Sequence, residues 1–331
     1  MMLLTGGLGY IGSHTAVELL DNDQDVVIVD NLSNSQIDVK DKIQKITGKS
    51  IKFYEGDVRD ADLMDKIFSE NKIDTVIHFA GFKAVGESTK IPIEYYKNNI
   101  DSTLVLLEAM KKHNVKNLVF SSSATVYGKA KSMPIFEDFP LSASNPYGRT
   151  KLFIEEILKD VHAADPSFNI AILRYFNPVG AHESGIIGEN PNGIPNNLMP
   201  YITRVATKKL DLLHVFGNDY ETHDGTGVRD YIHVCDLAHG HLKAAQKLEN
   251  NPGLVVYNLG TGTGYSVLDM VKAFESSCKV SVPYVIDERR PGDIDTCFAS
   301  PEKAEKELGF KATRTLEDMC KSSFNFEVNN K

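Results

Sequence analysis

The 331-residue sequence is short of cysteine: Cys235, Cys278, Cys297 and Cys320 are scattered, and no two of them form a C-x-x-C pair. That pattern argues against a disulfide framework or a cysteine zinc site and fits reduced thiols in a cytosol. Basic charge is also in deficit, with 36 Lys and Arg against 45 Asp and Glu and a formal net charge of −9. A field of that sign repels polyanions, so nucleic acid is not an expected partner, and phosphate must be met by local arginines or helix ends. No apolar run is long enough to span a membrane, and the opening "MMLLTGG" lacks the basic and apolar regions of a targeting segment. Repeats and low-complexity tracts are missing as well. Metal ligation is not expected either, because His239 and His241 sit two apart on a helical stretch and point to different faces. The chain reads as a cytoplasmic globular protein with no membrane partner.

What is present is a core: 42% of the side chains are hydrophobic. Up to about Arg174 they fall into short apolar runs, "MMLLT", "DVVIVD", "IKFYEGD", "DTVIHFAG", "NLVFSSS" and "NIAILRYF", separated by helical stretches. Strands alternating with helices at this spacing imply right-handed crossovers and a parallel sheet covered on both faces, a doubly wound, Rossmann-like α/β fold. After "RYFNPVGA" the regularity breaks, and "HVFGNDYETHDGTGVRDYIHV" reads as loop with few periodic signals. A helix from about Asp236 to Leu248, a strand at "VVYNLG" and a helix from about Val267 to Ser277 follow. The expected organisation is a dinucleotide-binding domain over 1–176 and a smaller α/β substrate-binding lobe over 177–331, with segments near 230–260 returning to the first domain.

The turn "TGGLGYIG" lies between the first strand and a helix, so a phosphate placed there meets the free N–H groups of a helix N-terminus. It fits two glycine patterns, Gly7-x-Gly9-x-x-Gly12 and the narrower Gly6-x-x-Gly9-x-x-Gly12. The second strand ends at Asp30, 18 residues beyond Gly12 (30 − 12), near the spacing of a carboxylate that bonds the adenosine ribose hydroxyls. A 2′-phosphate would meet that charge, which favours NAD over NADP. Asp57, in "GDVRD" beyond the third strand, is placed either to reach the adenine edge or to cap a turn.

"NPYGRTKLFIEEIL" sets Tyr147 and Lys151 one helical turn apart, so both project from one face. A phenol titrates near ~10, and a nearby ammonium together with an oxidised nicotinamide would bring that value down toward a usable base. Alone, this spacing occurs often by chance and reads better as an ordinary surface pair. Here the fifth strand also ends in three serines at the ligand-binding edge of such sheets, and Ser123 is placed to bond a reacting hydroxyl.

Taken together, "TGGLGYIGSHT", "FSSSATVYG", "NPYGRTK", "LRYFNPVGAH" and "DGTGVRDYIHV" resemble the extended short-chain dehydrogenase/reductases and, within them, the UDP-glucose 4-epimerase (UDP-galactose 4-epimerase) family, over nearly the whole chain. The resemblance implies the Gly6, Gly9, Gly12 spacing and a tightly held NAD. It implies interconversion of UDP-glucose and UDP-galactose through a 4-keto sugar, with Tyr147 as base, Ser123 assisting, and Lys151 holding the cofactor ribose. NAD contacts carry over to Tyr10, Ile11, Asp30, Asn31, Asn34, Asp57, Val58, Phe79, Ala80, Lys83, Asn98 and Tyr175, as well as Tyr147 and Lys151. UDP-sugar contacts carry over to Asn177, Asn197, Leu198, Phe216, Arg229, Arg290 and Asp293. Cys297 stands where some members have a bulky tyrosine against the sugar C2 substituent; read as a space-making residue it implies turnover of UDP-GlcNAc and UDP-GalNAc, and otherwise it is an incidental buried thiol. A homodimer through helices near Tyr95–His113 and Pro146–His162 is expected from likeness alone. Two other readings stay open: another nucleotide-sugar epimerase or 4,6-dehydratase, and a non-catalytic NAD-binding regulator on the same fold. Dehydratases of this type resemble one another in an Asp-Glu pair after the active serine or threonine, and Ala124-Thr125 stands there instead.

Overall fold

The computed structural model describes every residue except Ile194, Asn196, Pro291 and Lys331. Along the chain come β1 (Met2–Thr5), α1 (Tyr10–Asp21), β2 (Val26–Asp30), α2 (Asp38–Thr47), β3 (Lys52–Glu55), α3 (Ala61–Glu70) and β4 (Thr75–His78). Then follow α4 (Val85–Ser88), α5 (Pro92–Lys112), β5 (Asn117–Ser123), a 3₁₀ turn at Ala124–Tyr127, α6 (Pro146–Ala164) and β6 (Asn169–Tyr175). The remainder is β7 (Asn177–Val179), α7 (Leu198–Ala206), β8 (Leu213–Phe216), β9 (Val228–His233), α8 (Val234–Leu248), β10 (Leu254–Leu259) and β11 (Gly264–Ser266). It ends with α9 (Val267–Cys278), β12 (Tyr284–Asp287), β13 (Thr296–Cys297), α10 (Glu302–Leu308) and α11 (Leu316–Asn329).

The apolar runs stack as a seven-stranded parallel sheet in the order β10-β6-β5-β4-β1-β2-β3. Leu3, Leu4, Val27, Ile28, Val76, Ile77, Leu118 and Val119 are completely buried, as expected of strands covered by helices on both faces. Two apolar clusters form, one on each face of the sheet: Leu4 and Ile28 pack with α1 and α8, Leu3 and Val27 with α3 and α5. The chain winds outward in one direction from β1 to β3 and in the other from β4, so the crevice between β1 and β4 is the point where such sheets bind ligands.

A second set of elements has its own apolar cluster, drawn from α7, β8, β9, α9 and α11 and including Ile202, Val215, Tyr231, Phe274 and Met319. Here the sequence reading needs correction: the stretch taken as loop contains β8 and β9. β9 is the centre of a small sheet, antiparallel to β11 and parallel to β13 and β7. Arg229 and Asp230 disguise it, because their charges interrupt the apolar pattern. Asp230 is nevertheless fully buried, its carboxylate accepting the Thr261, Gly262 and Ala299 amides at 2.8, 3.0 and 3.1 Å. Among the described residues no helix is long and apolar enough to cross a membrane.

Four buried histidines make the fold acid-sensitive. Burial lowers His14, His78 and His233 to about 3 and His241 to about 4. The unfolded chain takes up protons below about 6.5 that the folded chain refuses, so stability is complete above that pH and is lost as pH falls. Each histidine contributes up to about 1.4 kcal/mol per pH unit over that window. Thermal unfolding followed between pH 7 and 4 is expected to show a steadily falling midpoint; a flat profile would contradict it.

Candidate active site

The C-terminal ends of the parallel strands share one edge, and the glycine turn opens it. Gly6 has φ +68, and a Cβ there would stand 2.9 Å from the Ala80 amide, so the turn lies directly against the segment leaving β4. A Cβ on Gly12 would meet the Gly6 carbonyl oxygen at 2.5 Å, which leaves glycine as the fitting residue. Gly9 caps α1 with no side-chain hydrogen bond, and the first turn of α1 carries no acid. Its amides are therefore available to an anion, and the cradle fits a dinucleotide pyrophosphate. Ile11 packs into the core behind it.

Asp30 is nine-tenths buried at the end of β2, and its carboxylate accepts the Leu8 and Leu32 amides and the Ser35 hydroxyl at 3.0, 2.9 and 2.7 Å. It thus fixes the glycine turn, and a carboxylate's roughly four acceptor sites leave one free. Asp57 is held to about 2, chiefly by Arg59 and also by Asn31, whose amide donates to it at 3.2 Å. Val58 is buried beside it. Asn34 accepts the Asn192 amide at 3.3 Å, tying the loop after β2 to the segment before α7.

Beyond β4, Phe79 packs on His241 with the rings tilted and their centroids 4.8 Å apart. Ala80 donates its amide to Thr5 Oγ1 at 3.3 Å. Asn98 is buried and bonds Asn99, whose side chain pins Phe82 on one side and Thr150 of α6 on the other at 2.7–3.0 Å. Asn99 was not anticipated. Lys83 is half exposed and pairs with Glu189 at 3.2 Å; Glu189 also accepts from Asn197 at 2.7 Å. Glu189 likewise escaped the sequence reading, since nothing in "GENP" marks it as the bridge between the first sheet's loops and the start of α7. Tyr10 donates to the Gly180 carbonyl at 2.7 Å nearby.

The reacting groups gather where β5 meets α6. Asn145 caps α6 by accepting the Gly148 amide at 2.8 Å, and Pro146 occupies its first turn. This places Tyr147, Lys151 and Glu155 at successive four-residue steps on the buried face. Ser123 Oγ is fixed by the Thr125 amide and hydroxyl at 3.2 and 3.0 Å and lies beside the Tyr147 phenol. Tyr175, across the strand edge, bonds His241. Burial raises the Tyr147 phenol, with only Ser123 pulling it part of the way back. Lys151 donates instead to the Ser121 carbonyl at 2.7 Å, and burial brings its own value down to about 8. The cation is in the site, but its first partner is the strand backbone.

On the opposite wall Asp293 is gripped by Arg229 at 3.2 Å and Arg290 at 3.0 Å. The Arg290 guanidinium lies 5.0 Å from the Phe216 ring centroid. Leu198 opens α7 and packs on the second core; Asn177 opens β7. Cys297 pairs in register with Arg229 and is buried among Val126, Tyr127 and Phe176, next to the turn that follows Ser123. Catalytic edge and arginine wall are therefore continuous through Cys297.

Fold and site define a class, the nicotinamide-dependent short-chain dehydrogenase/reductase type built on a doubly wound sheet. A family model described as GDP-mannose 4,6 dehydratase matches residues 3–323. The sequence is 60% identical over 329 residues to the UDP-glucose 4-epimerase of Bacillus subtilis, covering 99% of this chain and 97% of that one. Two solved structures superpose closely, each aligned over 99% of this chain and 98% of the other. They are UDP-glucose 4-epimerase from Bifidobacterium longum in complex with NAD+ and UDP (TM-score 0.95, 57% identity) and the enzyme from Stenotrophomonas maltophila with NAD and formylated UDP-arabinopyranose (TM-score 0.98, 50%). The chain belongs to the UDP-glucose 4-epimerase family. Within the broader family model, Ala124 and Thr125 after Ser123 supply no acid–base pair for dehydration.

Proposed function

We propose that this protein is an NAD-dependent UDP-glucose 4-epimerase that interconverts UDP-glucose and UDP-galactose. The observation that carries this reading is the meeting of Ser123, Tyr147 and Lys151 at the sheet edge beside the glycine cradle, with two arginines sharing Asp293 in the second set of elements. NAD, held by the glycine turn, Asp30 and Lys151, would supply a hydride acceptor and donor for the sugar C4. Tyr147 Oη takes and returns the proton of the 4-hydroxyl, Ser123 Oγ orients that hydroxyl, and the Lys151 ammonium favours the phenolate. Arg229 and Arg290 exchange their shared carboxylate, Asp293, for the diphosphate, a trade suited to planar guanidinium forks. Asp293 is then free for the uridine ribose, Phe216 and Leu198 border the uracil, and Asn177 and Asn197 meet the diphosphate and sugar end. A firm grip on the nucleotide with a loose one on the hexose is what inversion at C4 requires. Lys83, Asn31, Asn34 and Asp57 close over the dinucleotide, so that it stays bound between turnovers.

We divide the chain into a cofactor half, 1–176 with the returning segment near 230–260, and a substrate half made of the rest. The exposed Ile93, Leu104 and Phe153 on the packed pair α5 and α6 supply an apolar face for a homodimer, which sedimentation giving a monomer would remove. Free thiols throughout fit a cytoplasmic enzyme, and cell fractionation reads that directly.

Purified protein is expected to form UDP-glucose from UDP-galactose without added NAD; no product would end the reading. Cys297, small and buried against Val126, leaves room for an acetamido group at C2, so UDP-N-acetylglucosamine is expected to be epimerised too. Cys297→Tyr should depress the N-acetyl reaction about tenfold or more while sparing UDP-galactose. Equal loss on both substrates would remove the pocket argument.

A further inference from the structure

Behind the reacting groups lies a charged pair that the mechanism above does not use. Glu155 is completely buried on α6, and Arg174 of β6 forks onto it, Nε to Oε1 at 3.0 Å and Nη2 to Oε2 at 2.7 Å. Ser122 donates its hydroxyl to the same Oε1 at 2.6 Å. We propose that Glu155 is a positioning residue of this active site: locked between Arg174 and Ser122, its carboxylate fixes the serine edge of β5 against α6 and so sets where Lys151 and Ser123 stand. This rests on the function proposed above.

The geometry divides the work among three consecutive serines. The Ser121 carbonyl holds the Lys151 ammonium, the Ser122 hydroxyl is anchored to Glu155, and Ser123 meets Tyr147. The anchored residue is flanked by the two that touch the site, Ser121 through its backbone carbonyl and Ser123 through its side chain. Arg174 completes the clamp beyond Ser123, donating to Tyr127 Oη at 2.8 Å and to the Glu137 carbonyl at 2.9 Å. Tyr127 in turn bonds Asn258 of β10 at 2.7 Å. Strand, following turn and helix are thus pinned on both sides of the active serine.

A buried ion pair is poor evidence of a device for stability, since its desolvation offsets most of its attraction. Its place one turn beyond Lys151 gives it a second effect: the Glu155 charge favours the ammonium that burial opposes. The other titratable groups around Lys151 are Tyr147 on the same helix and His78 at the end of β4, which burial keeps neutral. Phe120 of β5 offers only its ring face.

The test uses Ser122→Ala and Glu155→Gln in the full chain with its bound dinucleotide, together with the Lys151 amine titration by NMR of isotope-labelled lysine. Ser122→Ala removes one hydroxyl and leaves the ion pair, so the fold is kept. It is expected to lower kcat about tenfold, with KM for UDP-galactose and dinucleotide content unchanged. Glu155→Gln is expected to lower kcat about a hundredfold and to move the Lys151 titration down by about one pH unit. Wild-type kcat in Ser122→Ala, or an unmoved lysine titration in Glu155→Gln, overturns the proposal. If Glu155→Gln does not fold, Ser122→Ala alone decides it. Were the unmodified protein to lack epimerase activity, the proposed function would fail, while the lysine titration would still report on Glu155.

Discussion

Tyr147→Phe is expected to lower conversion of UDP-galactose to UDP-glucose by about a thousandfold, within the range by which positioned acid–base groups accelerate reactions. The ring is buried on the first turn of α6, and phenylalanine fills the same space, so the fold and the bound dinucleotide are retained. Only the oxygen is lost, and with it the group beside Ser123 that can take a proton from the sugar. Burial alone disfavours the phenolate. A working base therefore needs positive charge close by, which Lys151 and an oxidised nicotinamide would supply under the proposed function. A variant that keeps more than about a tenth of the wild-type kcat would place the base elsewhere.

Gly12→Ala is expected to be strongly damaging to the cofactor half. The added Cβ meets Gly6 O at 2.5 Å and Gly7 Cα at 2.8 Å, and these are backbone atoms with no rotamer to turn away. Relief requires parting α1 from the glycine turn, at about 3 kcal/mol, the upper end of ordinary overpacking costs. The same shift withdraws the uncapped amides of α1 from their anion. The measurements are thermal unfolding and dinucleotide content after gel filtration: a lower midpoint and an empty protein are expected. Gly86→Ala is the control, because a Cβ there meets nothing within 4 Å. If both variants behaved as wild type, the close packing of the turn would not matter.

Much of this architecture is legible in the sequence because a parallel strand buried on both faces has to be a short, nearly continuous apolar run. All six such runs in the first half became neighbours in the sheet. Asp30 follows from its distance to the glycines, and the Tyr147–Lys151 pairing from helical periodicity. What escaped depends on which distant segments become neighbours. Arg174 lies inside the apolar run "NIAILRYF", and only the adjacency of β5, β6 and α6 identifies Glu155 as its partner. Glu189 gives no local sign of its two partners, and β9 was hidden by Arg229 and Asp230, whose carboxylate is satisfied by amides more than 30 residues away.

The seventh strand has a bearing on how the protein is made. β10 pairs with β6 along its whole length, from Leu254↔Ile170 to Leu259↔Tyr175, yet 78 residues separate the end of β6 from the start of β10 (254 − 175 − 1). During synthesis the nascent β6 waits with one row of its peptide groups bare until Leu254–Leu259 clears the ribosome, an interval of several seconds at ordinary elongation rates. A nascent chain stalled between those points would expose a bare strand edge open to pairing with another chain.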